Sequence, residues 1–292
     1  MDKQQVGDIL TWHDARWSTP ARTRMLTKLT GIYEAAGVIT DGQPLALHRC
    51  CPSAPDCWAR EQDRLPRVFP AKNKLGESGS IFWPWVGESY RPGGVCLVSL
   101  NINNAEKKGD GWWTVGVEYA IAETAIEVLE QGGRKPHGSW FAYRSMATAL
   151  AVLVSLDGHG PVEQPTPQEA AAAYERVARV QAIKCSPTHN RSQPTEAMRV
   201  NCPERFARRE LELLAPGVLI ALGGDAKTAI GLLGEASWSE HRDQFHRGKI
   251  TLAQSEIDVL ALPHPTSRGS LWATGQQELV ISLRTRPLTR GG

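Results

Sequence analysis

Short apolar runs alternate with amphipathic segments along the chain after residue 94, and this alternation limits the fold more than any other feature. The strand-like runs occupy residues 95–100, 177–183, 218–222 and 257–262, and the helix-like segments between the later runs occupy 203–214 and 226–233. Strands that alternate with helices form a parallel sheet whose two faces are covered by helices. Right-handed crossovers then give a layered arrangement. The sequence therefore predicts an α/β fold with three α/β/α layers around a central, mainly parallel, four-stranded sheet.

The segments before residue 177 add further helices. Residues 21–37 place apolar side chains at helical spacing, and residues 114–131, 139–156 and 167–176 are also predicted to be helical. Gly37 is expected to cap the first of these helices. We expect residues 1–45 to form a helical N-terminal extension that packs on the core, and residues 46–292 to form one larger domain.

Charge and cysteine content limit the class of protein. The chain has 33 basic and 31 acidic residues, a net charge of +2, which neither demands nor excludes DNA because binding needs only a local basic patch. The N-terminus lacks the pattern of a signal peptide, and no apolar run reaches the roughly 18 residues that span a bilayer. We therefore expect a cytoplasmic protein without a membrane partner. In a reducing compartment, six cysteines favour a metal, a cluster or catalysis over disulfides.

Two cysteines bracket the most informative loop of the sequence. Cys185 follows the strand-like run at 177–183, and Cys202 precedes the helix-like segment at 203–214. Cysteines at the end of a strand and at the start of a helix can clamp an inorganic cluster, which would make the loop between them rigid. Four thiolates suit an iron–sulfur cluster, and they also suit zinc.

Polar motifs follow the predicted strands at the points where they end. These motifs are residues 99–104, 184–191, 223–224 and 264–266. The carboxyl ends of parallel strands meet at one edge of a sheet, and ligands of open α/β folds bind at that edge. We therefore expect the motifs to surround a ligand site.

The motifs occur in a characteristic order. The pattern consists of Lys184, Cys185, Pro187, Asn190, Arg191, Pro194, Glu196 and Cys202, then Gly223 with Ala226, then Arg247, Gly248 and Lys249, then His264, Pro265 and Thr266. In this order, over about residues 177–268, the chain resembles the uracil-DNA glycosylase superfamily and, within it, the iron–sulfur branch. The resemblance implies a DNA glycosylase, which flips a base out of DNA and hydrolyses its N-glycosidic bond. It also makes residues 46–292 the catalytic domain.

The resemblance implies a catalytic pair and a base-binding group. His264 is expected to donate a hydrogen bond to a carbonyl oxygen of the departing base, and Asn101 is expected to orient the attacking water. Trp113, with Trp112 beside it, is expected to stack on the extruded base. Asn103 is expected to contact that base. The alternatives are a structural turn residue for His264, a helix or turn cap for Asn101 and core packing for the two tryptophans.

Other residues near these motifs are expected to contact DNA. Arg268 is expected to bind a phosphate and Arg191 to contact DNA, with the role of ordinary solvated charges as the alternative for both. The segment that begins at Thr266 is expected to approach the minor groove. Leu271 or Trp272 is expected to enter the space that the flipped base leaves.

Two departures from the family pattern concern the base. The turn after residues 95–100 lacks the glycines and the proline of the family's first motif, and Asn101 matches other branches of the superfamily. Gln181 stands where the family places an asparagine that reads uracil, and its side chain is longer by one methylene. These departures favour a modified or bulkier base over uracil. The alternative for Gln181 is a side chain that points onto the sheet surface.

The resemblance also implies a 4Fe–4S cluster with a structural role. The expected ligands are Cys51, Cys57, Cys185 and Cys202. The family draws two ligands from before the first strand, where Cys50, Cys51 and Cys57 all lie. Cys50 is therefore an alternative to Cys51. Cys96 lies within a predicted strand and is expected to be a core thiol. Zinc and the absence of any metal are the alternatives to the cluster.

The preferred hypothesis is a monomeric, nucleoid-associated DNA glycosylase that acts on double- or single-stranded DNA. Its expected substrate is a modified base, such as a phage-modified cytosine, which would make it an anti-phage enzyme. Excision of uracil in base-excision repair is the first alternative. A non-catalytic or covalent DNA-binding relative is the second, although the basic run of covalent relatives is not found beside His264. The third is a zinc- or cluster-stabilised α/β protein that acts on a nucleotide or another small ligand.

Overall fold

The computed structural model describes residues 20–40, 43–44, 51–57, 84–100, 137–161, 169, 172–173, 175–184, 194–267 and 270–289. The helices among these residues are α1 (Pro20–Ala35), α2 (Ala54–Cys57), α3 (His137–Leu156), α4 (Glu196–Cys202), α5 (Arg208–Leu214), α6 (Gly224–Leu233) and α7 (Leu271–Thr285). The strands are β1 (Ile39–Thr40), β2 (Gln43–Pro44), β3 (Trp85–Val86), β4 (Val95–Ser99), β5 (Val177–Gln181), β6 (Val218–Leu222), β7 (Ala236–His241), β8 (His246–Leu252) and β9 (Ser255–Leu262). A π-helical segment, Pro203–Ala207, follows α4 and precedes α5.

The chain divides into two units. The cysteine unit comprises Met1–Pro84, Leu100–Glu118 and Gln181–Leu213, and the sheet unit comprises Trp85–Ser99, Tyr119–Val180 and Leu214–Gly292. In the cysteine unit, β1 and β2 form a short antiparallel pair.

The sheet unit is built on a seven-stranded mixed sheet with the strand order β3-β5-β4-β6-β9-β8-β7. β4 pairs in parallel with β6, and β6 pairs in parallel with β9. β3 pairs with β5, β7 with β8, and β8 with β9 in antiparallel orientation. Every residue of β4 and β6 is buried. Because successive residues of a strand point to opposite faces, this burial means that both faces are covered along these two strands.

The α/β class predicted from the sequence is confirmed, but the prediction of a four-stranded, mainly parallel sheet is wrong. The three further strands are β3, β7 and β8. β3 is only two residues long, and β7 (Ala-Ser-Trp-Ser-Glu-His) alternates between half-buried and exposed residues. Neither has the continuous apolar run that marks a central strand. Polar or very short strands are common at the edges of a sheet, because a long apolar edge would pair with other chains.

The predicted strands and helices lie close to their expected bounds. β6 coincides with residues 218–222, while β4 and β5 end one and two residues before the predicted limits of 100 and 183. The helix predicted at 139–156 is α3. The helix predicted at 203–214 begins as the π-helical segment, in which the Arg208 N–H donates to the carbonyl of Pro203. Proline lacks an N–H group and disturbs regular α-helical bonding at this point.

The C-terminal end of α1 follows the prediction made for Gly37. Gly37 has a φ of +68°. Its N–H donates to the carbonyl of Glu34 at 2.9 Å, and the Val38 N–H donates to the carbonyl of Tyr33 at 3.0 Å. These two bonds form a Schellman motif, in which glycine is favoured because of its left-handed conformation.

Some expectations concern residues that the structure does not describe. The helix predicted at 114–131 lies outside the described residues, as do five of the ten residues of the helix predicted at 167–176. The boundary between residues 45 and 46 stays a prediction. In the part of the chain that the structure describes, no helix is sufficiently long and apolar to cross a membrane.

A buried ionic network lies in the core of the cysteine unit. Lys184 Nζ donates to Glu210 Oε2 at 2.6 Å, and both side chains are completely buried. The other carboxylate oxygen accepts a hydrogen bond from the hydroxyl of Tyr33, whose ring stacks on Phe206 at a centroid distance of 5.5 Å. Loss of one partner from such a buried pair costs roughly 3–5 kcal/mol, because it leaves a charge without compensation. The network therefore links Tyr33 of α1 and Glu210 of α5 to Lys184, the residue directly before Cys185.

Candidate functional site

The carboxyl ends of β4, β6 and β9 lie side by side because the three strands run parallel. Ser99 is in register with Leu222, and Leu222 is in register with Leu262. The Gly223 N–H then donates to the carbonyl of Leu262 at 2.8 Å, which brings the end of β6 against the segment that carries His264. In sheets with parallel strands this edge is where ligands bind.

Gly223 allows the backbone after β6 to approach His264 closely. It has a φ of 107° and a ψ of 161°, a combination that is essentially restricted to glycine. A Cβ atom at Gly223 would lie 3.3 Å from Cβ of His264. The backbone conformation therefore favours glycine here, and a side chain would also require the His264 side chain to shift by a few tenths of an ångström.

Hydrogen bonds to Thr266 assign the proton of the His264 ring. The backbone N–H of Thr266 donates to Nδ1 at 3.2 Å, and Oγ1 of Thr266 lies 2.7 Å from the same nitrogen. Because a backbone N–H can only donate, Nδ1 carries a lone pair and the proton of the neutral ring is on Nε2. The ring thus offers its Nε2–H as a hydrogen-bond donor.

The surroundings of His264 favour the neutral ring. Burial lowers the pKa of His264, and the positive charge of Arg179 lowers it further, whereas Asp225 raises it. The net effect is a pKa below the usual value of about 6.5 for histidine, so the imidazole is uncharged at pH 7.

The Phe141 ring lies beside the His264 ring, and the guanidinium of Arg179 lies over the Phe141 ring. The Phe141 and His264 rings have centroids 5.2 Å apart with 39° between their planes. The guanidinium carbon of Arg179 lies 4.7 Å from the Phe141 centroid, which is a cation–π distance. Arg179 Nε and Nη2 each lie 3.4 Å from Ser99 Oγ. Since Arg179 is only 7% exposed, water screens its charge weakly within this site.

Two helices fix the loop that carries His264. On α3, Arg144 Nη1 donates to the carbonyl oxygen of Pro265 at 2.6 Å. On α7, Gly275 lies so close to Pro263 that an added Cβ would be 2.6 Å from the proline Cδ. A hydrogen-bond donor fixed in this way can stabilise negative charge that develops on a carbonyl oxygen, because no reorganisation is needed during the reaction.

Three of the four predicted cluster ligands lie on neighbouring elements of the cysteine unit. Cys51 precedes α2, Cys57 is its last residue, and Cys202 is the last residue of α4. All three are buried. Asn201 Nδ2 donates to Cys57 Sγ at 3.7 Å, and Thr195 Oγ1 donates to the Cys57 carbonyl at 3.0 Å. Thr195 thus holds the start of α4 against α2, and Asn201 holds its end there.

The three thiols influence one another electrostatically. Burial is the main cause that raises the pKa of Cys57 to about 11, and Cys202 and Cys51 contribute to this increase because neighbouring thiolates repel. Burial also raises the pKa of Cys51; Cys202 adds to this increase and Arg205 opposes it. Deprotonation of all three thiols would require a compensating cation, which is what a metal or cluster supplies. The donor set therefore fits a thiolate-ligated group.

The described residues alone do not form a metal centre. Among them, no three histidine, cysteine or acidic side chains lie close enough together to hold a metal ion. Cys185, the expected fourth ligand, and Cys50, the alternative to Cys51, lie outside the described residues. A complete site therefore requires at least one ligand from outside them.

The structure describes four further residues that were assigned to base or DNA contacts. Thr266 is exposed and bonds to the His264 ring. Leu271 is 44% exposed at the start of α7, whereas the Trp272 ring lies 4.8 Å from the guanidinium of Arg144. Leu271 is thus the residue of this pair that projects into solvent. Gln181 is buried at the end of β5.

The remaining predicted site residues lie outside the described residues, and their roles stay predictions. They are Asn101, Asn103, Trp112, Trp113, Arg191 and Arg268.

Sequence reasoning missed Arg179 and Phe141. A signal for Arg179 was present, because a charged residue interrupts the apolar run of β5, Val-Ala-Arg-Val-Gln. A buried charge in a central strand requires a partner, and it therefore marks a functional or structural site. Phe141 gave no comparable signal, because an aromatic residue in an apolar helix is ordinarily part of the core.

Neither models of known protein families nor curated proteins match this sequence. The resemblance to the iron–sulfur uracil-DNA glycosylases therefore rests on the order of the motifs.

Replacement of Gly223 tests the geometry of the site. Gly223→Ala is expected to lower the free energy of unfolding by about 1–3 kcal/mol, because alanine is strained at this φ and ψ. Gly224→Ala is the matched control, since a Cβ at Gly224 meets no atom within 4 Å. Urea unfolding of both variants measures the difference. Equal unfolding midpoints would show that Gly223 is not under this constraint.

Proposed function

We propose that this protein is a monofunctional DNA glycosylase, which flips a base out of DNA, hydrolyses its N-glycosidic bond and leaves an abasic site. The observation that carries the proposal is the imidazole of His264, which is fixed at the carboxyl edge of the parallel strands and accepts the Thr266 N–H at Nδ1, so that Nε2–H is its donor. The order of motifs that resembles the iron–sulfur uracil-DNA glycosylases suggests that this donor serves base excision. The proposal also includes the three-layer α/β/α arrangement of those glycosylases.

The described residues of the sheet unit suit the charge that develops in this reaction. The bond between the base nitrogen and the sugar carbon C1′ breaks, and its electron pair remains with the base. Negative charge then develops on a carbonyl oxygen of the base, where the Nε2–H of His264 donates. The buried positive charge of Arg179 favours the same negative charge, because the local dielectric constant is low. A water oxygen bonds to C1′, one proton of that water is released, and a proton is taken up by the base.

The roles predicted from the sequence complete the proposal. Asn101 orients the attacking water, and Trp113 stacks on the extruded base. Gln181 reads the edge of the base, and its extra methylene relative to asparagine favours a modified base, such as a phage-modified cytosine, over uracil. Removal of such bases would act against phage DNA and spare unmodified host DNA.

The proposal includes a 4Fe–4S cluster held by Cys51, Cys57, Cys185 and Cys202. Its support is the electrostatic influence of three buried thiols on one another and the Asn201 amide that donates to Cys57 Sγ. When bound, the cluster would cross-link α2 and α4 to the loop after Lys184. The thiols and the Lys184–Glu210 pair would then fix both ends of that loop.

A panel of oligonucleotides tests the activity. Duplexes and single strands that contain uracil, 5-hydroxymethylcytosine or only unmodified bases are incubated with the protein, and released free base is measured by mass spectrometry. We expect base release from the modified-cytosine substrates. His264→Ala should slow this release by about 10²–10³-fold, the usual cost of removing one fixed donor of this kind. His159→Ala, at an exposed loop position, should leave the rate unchanged.

The panel also separates the alternatives. Release of uracil alone would support a role in base-excision repair instead. Retention of DNA without released base would support a binding module. Normal cleavage by His264→Ala would remove His264 from the reaction.

Two cysteine variants test the cluster. The protein purified without oxygen is expected to be brown and to contain iron and sulfide. Cys202→Ser should lose the iron, because one of four thiolate ligands is absent. Cys96→Ser is the matched control, since Cys96 is a buried thiol of β4 and is not an expected ligand. Zinc in place of iron would favour the zinc alternative, and wild-type protein without bound metal would contradict both.

A further inference from the structure

The β7–β8 hairpin of the sheet unit carries two histidines that face each other. His241 and His246 are paired across the two strands. Their Nδ1 atoms lie 3.1 Å apart, and their rings are inclined at 73°. We propose that this pair is a binding site for a divalent transition metal such as Zn²⁺. The site goes beyond the proposed glycosylase function and does not depend on it.

The distance between the two nitrogens suits a shared metal ion. Two imidazole nitrogens at the usual Zn–N distance of about 2.0–2.1 Å are about 2.9 Å apart at a right angle and about 3.4 Å apart at the tetrahedral angle. The observed 3.1 Å lies between these limits. Without metal, the same distance fits a hydrogen bond in which one ring donates its Nδ1–H to the other. Metal binding requires that ring to carry its proton on Nε2 instead, so that both Nδ1 lone pairs face the ion.

The hairpin holds the pair in a fixed position. Ser282 Oγ on α7 donates to Glu240 Oε2 at 2.8 Å, and the Gln244 N–H donates to Oε2 of Glu278, also on α7, at 2.8 Å. Phe245, within the turn, is completely buried. Ligands fixed in this way lose little conformational freedom when a metal binds.

An aromatic, a cationic and an anionic side chain lie near the pair. The Trp238 ring meets the His246 ring edge-on, with centroids 6.2 Å apart, and Lys227 Nζ lies 4.6 Å from the Trp238 centroid. Burial, Lys227 and His241 lower the pKa of His246, which keeps a lone pair available at neutral pH. Glu278 has the opposite effect on this pKa, and its negative charge would attract a cation that Lys227 repels. Among the described residues no third ligand side chain joins the pair, so water would occupy the other coordination positions.

The pair lies at the same edge of the sheet as the candidate site. His246 is in register with Ala261 of β9, and Ala261 is three residues before His264. A bound ion with open positions at this edge could accept an oxygen ligand, such as a phosphate.

Zinc titration of the untagged, full-length protein with ¹⁵N-labelled histidine tests the site. We expect Zn²⁺ to shift the Nδ1 resonances of His241 and His246 together in the NMR spectrum. In His241→Ala, the shift of His246 should require at least about tenfold more zinc, equivalent to about 1.4 kcal/mol of binding energy. His246→Ala should have the reciprocal effect on His241.

Controls separate this site from other ligands. His159→Ala should bind zinc at the pair as the wild type does. Zinc bound by the cysteines would leave the Nδ1 resonances of the pair unchanged. An unchanged amide spectrum checks that each variant is folded. The proposal is overturned if zinc shifts neither resonance, or if His246 responds equally in His241→Ala; in either case the pair is only a hydrogen bond.

Discussion

The parallel arrangement of β4, β6 and β9 is the constraint on which the candidate site depends. It brings Ser99, Gly223 and the segment after Leu262 to one edge of the sheet. The backbone after β6 contacts His264 there in a conformation that is essentially restricted to glycine. The imidazole is consequently held against a strand end by its own loop, which Arg144 and Gly275 anchor. Its single ring proton has a fixed direction, which is the property that the proposed chemistry requires.

A different kind of interaction organises the cysteine unit. The Lys184–Glu210 pair is fully buried, and its charges are compensated only while Tyr33 and Lys184 both contact the carboxylate. The N-terminal helix α1 is thereby tied to the residue before Cys185, so it contributes to the core of this unit. If the thiols of Cys51, Cys57, Cys185 and Cys202 bind a cluster, the same network holds the backbone next to one of its ligands.

The sequence predicted the parts of the fold that depend on local patterns. Apolar runs marked β4, β5, β6 and β9 because central strands are buried on both faces. The β7–β8 hairpin was not predicted, since most residues of its strands are polar and its position depends on pairing with β9. His264 was identified because it follows a predictable strand. Phe141 was not, because its relation to His264 arises from tertiary contacts that local sequence does not encode. Arg179 was missed although its charge interrupts the apolar run of β5.

The central claim is that His264 presents a neutral ring whose proton is on Nε2. The ¹⁵N chemical shifts of the His264 imidazole at pH 7 test this claim most directly. The account predicts an unprotonated Nδ1 that accepts the Thr266 N–H, together with a protonated Nε2. A proton on Nδ1, in either the neutral or the charged ring, would contradict it.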